Sequence, residues 1–246
     1  MFLVIDVGNT HVKAALFESN QLIKAFAFDP TSPPPHFLSE IKARLIEKTV
    51  IASVNPQNAA SIMKLLSQEG IPFIELTAKQ FEKRLDVIEK EDVGLDRIAN
   101  IYGALSHFPI FDCIVVDIGT AITCDYVTSR GIYLGGTIFP GMQVSAKALS
   151  QGTHALPDVA ISKPASVLGK TTAEHIQAGI YYGLLGAIER TVAELRMTSQ
   201  NPSDVKVLAT GGQTHNLEFQ EDLQDFVDLI DPHLTLVGLK EIAKEK

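Results

Sequence analysis

FLVIDVGNTHVKAALF, residues 2–17, decides the fold. An apolar run ends in Asp6, a tight Gly8-Asn9-Thr10 turn follows, and a second apolar run leaves it. The pattern predicts a buried strand, a turn of two or three residues and an antiparallel return strand. The turn carries the chemistry. Gly8 permits close approach of backbone to a ligand, and exposed N–H and hydroxyl groups suit phosphate oxygens. Asp6 stands at the strand tip, where a carboxylate can hold a metal ion directly or through water. A lone Asp at a strand end is ordinarily a turn former. This one has a counterpart: IVVDIGT, residues 114–120, repeats the apolar strand, the acid (Asp117) and the glycine (Gly119) in the second half.

Outward from residue 17, a polar Ser19-Asn20 turn leads to a third strand, Leu22 to Phe28. Pro30 and Pro33 to Pro35 form a stiff link. Apolar spacing predicts a helix over 37–48, a strand over 50–54, a helix over 56–68 stopped by Gly70, and a strand over 72–76. A charged stretch, 79–93, precedes Gly94-Leu95-Asp96-Arg97, which opens a helix through Leu105. An acid at a helix start has an ordinary role in capping the first turn. Three strands recur over 112–139, followed by a helix over 142–150, an irregular segment over 153–168 and a long helix over 173–197. A strand over 205–208 ends in Thr210-Gly211-Gly212. Helical segments over 214–224 and 232–244 flank a last strand at 226–229. The order predicts an α/β protein of two ribonuclease H-like domains, 1–111 and 112–246, built as duplicated βββαβαβα units with a cleft between them. That is the actin, sugar-kinase and heat-shock-ATPase architecture, and it predicts ATP and a divalent ion without choosing the acceptor.

Composition narrows the partners. Of 246 residues, 46% are apolar and 20% charged, enough for a real core. A net charge of −8 with no basic stripe argues against nucleic acid. No apolar run reaches transmembrane length and no leader precedes the first strand, so a cytoplasmic protein off the membrane is expected. Cys113 and Cys124 lack metal-ligand spacing and read as free core thiols. Gly169-Lys170-Thr171-Thr172 is not a P-loop, because Pro164 stands where the motif requires glycine and no strand precedes it. Thr172 there reads as the cap of the long helix, a role compatible with ligand contact at the same helix end. In that helix Ile176, Ile180, Leu184 and Ile188, with Gly179, Gly183 and Gly186 among them, fit either an interface or a buried core face.

Five segments in order, Asp6-Val7-Gly8-Asn9-Thr10, Gly94-x-Asp96-Arg97, Asp117-x-Gly119-Thr120-Ala121-x-Thr123, Gly135-Gly136-x-Ile138-x-Pro140-Gly141 and Thr210-Gly211-Gly212, resemble type III pantothenate kinase over nearly the whole chain. The resemblance implies transfer of the ATP γ-phosphate to the 4′-hydroxyl of pantothenate, the first step of coenzyme A synthesis. It implies ATP with Mg2+, a monovalent cation (K+ or NH4+), and a homodimer. It makes Asp96 the base and gives Gly94, Leu95, Asp96, Arg97 and Thr172 to pantothenate, with Thr171 a close rival to Thr172. Phosphoryl transfer asks for positioning, charge neutralisation and a carboxylate at the acceptor, and Arg97 suits pantothenate's carboxylate. Asp6, Val7, Gly8, Asn9, Thr10, His11, Val12 and Lys13 match the first ATP segment, with Asp6 also a candidate for magnesium. Thr120 matches an ATP contact, and Asp117 the monovalent-cation ligand. Where the family shows Tyr and then Asn-Pro before Gly-x-Asp-Arg, this chain has Val87, Glu89 and Lys90. A non-catalytic or regulatory protein similar to Bvg accessory factor is the alternative reading.

Overall fold

The computed structural model describes residues 1–246 and divides into two compact units, Met1–Pro109 with His233–Lys246, and Ile110–Pro232. In the first, β1 (Phe2–Val7), β2 (Val12–Glu18), β3 (Gln21–Phe28), β4 (Lys48–Ser53) and β5 (Ile74–Glu75) form one sheet in the order β3-β2-β1-β4-β5. β1 runs antiparallel to β2 and parallel to β4. Leu3 to Val7 are buried almost without a break, as a strand flanked on both sides and covered on both faces requires. Helix α1 (Pro35–Lys42) packs Phe37 and Ile41 beneath Phe26 and Phe28. It stops short of the expected residue 48. Glu47 N already donates to Met1 O at 2.9 Å, and Lys48 is paired with Phe2, so the ladder to β1 takes the chain over. Leu45 is left exposed. Helix α2 (Pro56–Gln68) starts at a Pro, is capped by Asn55, and ends before Gly70 at φ 69°.

The second unit repeats the sheet. β6 (Cys113–Ile118), β7 (Ala121–Val127), β8 (Tyr133–Pro140), β9 (Lys206–Thr210) and β10 (Leu229–Ile230) lie in the order β10-β9-β6-β7-β8, the same layout strand for strand. The duplication is not literal. Helices α4 (Met142–Gly152) and α5 (Thr172–Arg196) both fall between the third and fourth strands, one more than in the first unit, and α6 (Leu217–Leu223) precedes β10. Ile176, Ile180, Leu184 and Ile188 of α5 are buried against Ile114, Val116 and Ile118 of β6. The isoleucine stripe is therefore core. Gly179, Gly183 and Gly186 have open space where a Cβ would stand. No helix of the chain is long and apolar enough to cross a membrane.

The expected boundary at 111/112 lies close to the crossing at 109/110, but the C-terminal stretch departs from the expectation. Helix α7 (Leu234–Glu245) packs in the first unit, against α3 (Leu95–His107) and the sheet. A Cβ on Gly238 would stand 1.7 Å from Ala99 O, and one on Gly103 2.5 Å from Leu234 O. The two helices cross at glycines because their backbones touch. Sequence periodicity could not have shown this, since an amphipathic helix does not announce which sheet it covers. Gly238→Ala has no flexible neighbour to displace and is expected to cost about 3 kcal/mol or more, read as a lowered urea midpoint.

Candidate active site

The candidate site of the first unit hangs from the carboxyl edge of the parallel β1–β4 pair. Asp6, 9% exposed, is the penultimate residue of β1 and sits directly across from Lys13 of β2. The connection between these strands is four residues, Gly8 to His11, rather than the expected two or three, and it closes with Gly8 N donating to His11 O at 3.0 Å. Asn9, Thr10 and His11 are exposed. Helix α2 props this turn. Asn58 Nδ2 donates to Gly8 O (3.1 Å) and Asn9 O (3.4 Å), and Asn55 Nδ2 donates to Asn9 Oδ1 at 3.2 Å. Asn55 and Asn58 were absent from the sequence-based site. The Asn-Pro start of α2 was visible as a helix signal, but nothing in it says which turn lies beside it.

The Gly94-to-Arg97 motif stands on the same edge. Val54 N donates to Val7 O at 3.2 Å, and a Cβ added at Gly94 would lie 3.7 Å from Val54 Cγ1. Val54 thus links the end of β1 to the start of α3. In open α/β sheets ligands bind outside the carboxyl ends of strands. Gly94 is the cap residue of α3 and offers no side chain to the first turn. The Asp96 carboxylate turns back instead, and its Oδ1 accepts from Arg97 N at 2.9 Å. Gly94 has an ordinary φ of −57°, so its role is space. A Cβ there would stand 2.3 Å from Asp96 Oδ1. Asp96 and Arg97 are half-buried, as is Val87, whereas Ile88 beside it is fully exposed.

In the second unit the equivalent edge carries Asp117, opposite Thr123 on β7 and Thr210 on β9. Its turn is only two residues, Gly119 and Thr120, closed by Gly119 N to Ala121 O at 3.0 Å. Gly141 at the start of α4 donates to Thr120 O at 2.9 Å, and a Cβ on it would meet Gly119 O at 2.3 Å. Gly211 has φ 101°, and a Cβ there would lie 2.5 Å from Asp117 Oδ1. These two motif glycines mark where backbone or carboxylate fills the space of a side chain. The Thr210 hydroxyl is buried without a partner. Behind this row Asp125, 1% exposed, accepts from Thr123 Oγ1 and Tyr133 OH, each at 2.8 Å. It is a buried carboxylate that sequence reading passed over as part of a strand.

Thr171, not Thr172, caps α5. Thr171 Oγ1 accepts from Glu174 N, and Glu174 Oε2 accepts from Thr171 N. Thr172 lines a cavity of about 460 Å3 with Leu149, Leu156, His175 and Ile176. The irregular segment over this cavity is tied down by Lys163, which donates to Asp222 Oδ1 at 2.8 Å, while Tyr181 OH donates to Oδ2 at 2.6 Å. Burial pushes the Asp222 carboxyl up, but the bonds from Lys163 and Tyr181 outweigh it and hold it below the usual range.

With both edges described, comparison with known proteins decides the family. The family model for type III pantothenate kinase matches residues 2–194. A type III pantothenate kinase of Legionella pneumophila (strain Paris) is 34% identical over 257 residues, covering 99% of this chain and 98% of that one. The chain belongs to the type III pantothenate kinase family. It is a kinase that phosphorylates pantothenate with ATP, in coenzyme A synthesis. A Campylobacter jejuni structure titled as a conserved putative Baf family transcriptional activator has TM-score 0.59 at 24% identity, covering 99% of this chain and 98% of that one. A glucokinase from an Antarctic psychrotroph has TM-score 0.52 at 11% identity, covering 100% and 99%. These two likenesses speak for the fold alone.

The family implies ATP with a divalent metal. No group of three or more His, Cys, Asp or Glu side chains forms a cage. Mg2+ is commonly held by one or two carboxylates together with substrate phosphates, and Asp6 stands near the end of β1 as one carboxylate of the first unit. Gly94→Ala is expected to displace the Asp96 carboxylate while leaving the helix folded. The kcat for pantothenate phosphorylation should fall at least about 10-fold, in line with the sensitivity of such reactions to sub-ångström placement, with melting temperature within about 3 °C of the parent.

Proposed function

We propose that Asp96 is the base for phosphorylation of the pantothenate 4′-hydroxyl by ATP. The observation that carries this is the empty space at Gly94, which holds the Asp96 carboxylate at the head of α3 beside Val54 and so next to the strand edge bearing Asp6. A carboxylate there orients the hydroxyl and accepts its proton as the phosphoryl group transfers. Arg97 takes pantothenate's carboxylate through a charge-assisted fork. The Thr172 hydroxyl, free of the capping duty that Thr171 carries, serves as a further pantothenate contact.

On the nucleotide side, the run from Asp6 through Lys13 receives phosphates on the N–H and hydroxyl groups of the exposed turn, and Lys13 offsets their charge. Thr120 makes the corresponding contact from the second turn. Mg2+, with Asp6 as its protein carboxylate, neutralises phosphate charge when bound. Asp117 is the ligand of a monovalent cation, K+ or NH4+. The partnerless Thr210 hydroxyl on the adjoining strand and the carboxylate packed on Gly211 support that assignment. The enzyme works as a homodimer in the cytoplasm, and the open glycine face of α5 is its candidate contact surface. The regulatory alternative is not favoured, because the full-length relatives carry the kinase name.

An ADP-release assay with Mg2+ and K+ tests the reaction. Release is expected to depend on added pantothenate, and release indifferent to it would overturn the reading. Asp96→Asn should lower kcat by about 10²–10⁴-fold without shifting the melting temperature; near-normal kcat would leave Asp96 a helix-end residue only. Asp117→Asn should raise the K+ concentration for half-maximal activity by about tenfold or more, as expected when about 1.4 kcal/mol or more of ion binding is lost. An unchanged K+ response would remove Asp117 from the cation site.

A further inference from the structure

The helix carrying Asp96 is set in place by the far end of the chain. Asn100 lies one turn after Asp96 on α3, on the same helix face, and is fully buried. Its Oδ1 accepts a 2.8 Å hydrogen bond from Thr235 Oγ1 in the first turn of α7, and Thr235 is 5% exposed. The pair lies beside the glycine crossing, where Leu234 meets Gly103 and Gly238 meets Ala99. Those close contacts fix how far apart the helices stand. They also turn one face of α3, that of Ala99 and Gly103, toward α7, and the Asn100 hydrogen bond adds a directional restraint beside them. A buried hydrogen bond is directional, and breaking it strands polar atoms away from water. A second α3–α7 hydrogen bond, from Tyr102 OH to Glu245 Oε2 at 3.1 Å, lies farther along α3 from Asp96 than the Asn100–Thr235 pair does.

We infer that Asn100 and Thr235 are positioning residues for phosphoryl transfer: their buried hydrogen bond sets the rotation of α3 and thereby the place of the Asp96 carboxylate. The inference rests on the assignment of Asp96 as base. Neither residue touches substrate; both act through the helix. The arrangement also gives α7 a reason to pack in the first unit, since it supplies a buried hydroxyl to α3.

Steady-state kinetics of the full-length enzyme test this with Thr235→Val, which keeps the shape and removes the hydroxyl, and Thr235→Ser, which keeps the hydroxyl. Thr235→Val should lower kcat by about 10–100-fold, the scale of a misplaced catalytic group, with KM for ATP and pantothenate nearly unchanged, and Thr235→Ser should restore most of it. If the valine variant does not fold, Thr235→Ala is measured in its place with the same expectation. In an Asp96→Asn background the valine substitution should cost nothing further, because the group it misplaces is gone. A lowered melting temperature with parental kcat would make the pair purely structural and overturn the inference. An equal kcat loss with and without Asp96 would overturn it too. Parental kcat in Asp96→Asn alone would instead mark the base assignment as the failure.

Discussion

Parallel pairing of β1 with β4 is the constraint on which the first unit's candidate site depends. It brings the ends of two buried strands side by side, and the chain must turn outward at both. One exit carries Asp6 and the Gly8 turn; the other carries Val54 and then Asn55, which caps α2. Because both exits share an edge, α2 can reach across and hold the turn through Asn55 and Asn58. The same edge receives the head of α3 against Val54. A parallel ladder leaves its polar groups satisfied only within the sheet, so the chemistry gathers at the open strand ends.

The second unit reuses the sheet without reusing its chemistry. Asp117 occupies the position of Asp6, yet its neighbours differ: Thr123 lies where Lys13 lies in the first unit, and a partnerless Thr210 hydroxyl adjoins on the parallel side. The two acids therefore stand in different surroundings, one across from an ammonium and the other across from a hydroxyl. The two helices between the third and fourth strands frame a cavity at the head of α5 with Thr172 on its wall. Duplication thus supplied two similar edges, and side-chain replacement gave them different surroundings.

Much of this was legible in residues 2–17 and 114–120, because a strand that is buried on both faces must be apolar throughout, and its end is marked by the first acid. The glycines were legible as motif letters but not as causes. Gly94, Gly141 and Gly211 show φ values of −57°, −75° and 101°, so only the last is explained by backbone freedom. The other two are explained by what occupies the missing Cβ volume, and that neighbour is far away in sequence or folded back upon the glycine. Asn58, Asp125 and the Asn100–Thr235 pair escaped notice for a related reason. Each is an unremarkable polar residue inside a regular element, and its meaning comes from a partner on another element.

Local pattern by itself determined the strands, the two acid-tipped turns, the duplicated sheet and the helix head bearing Asp96 and Arg97. These follow from periodicity, from turn chemistry and from the order of five short motifs. Tertiary structure alone decided that α7 belongs with the first unit, that α5 spends its isoleucine stripe on the core, and that Thr171 caps so that Thr172 faces a cavity. The physical reason is range. Hydrophobic period and capping are set within a few residues, whereas a close helix crossing and a buried hydrogen bond are set by whichever distant segment can approach without a side chain in the way.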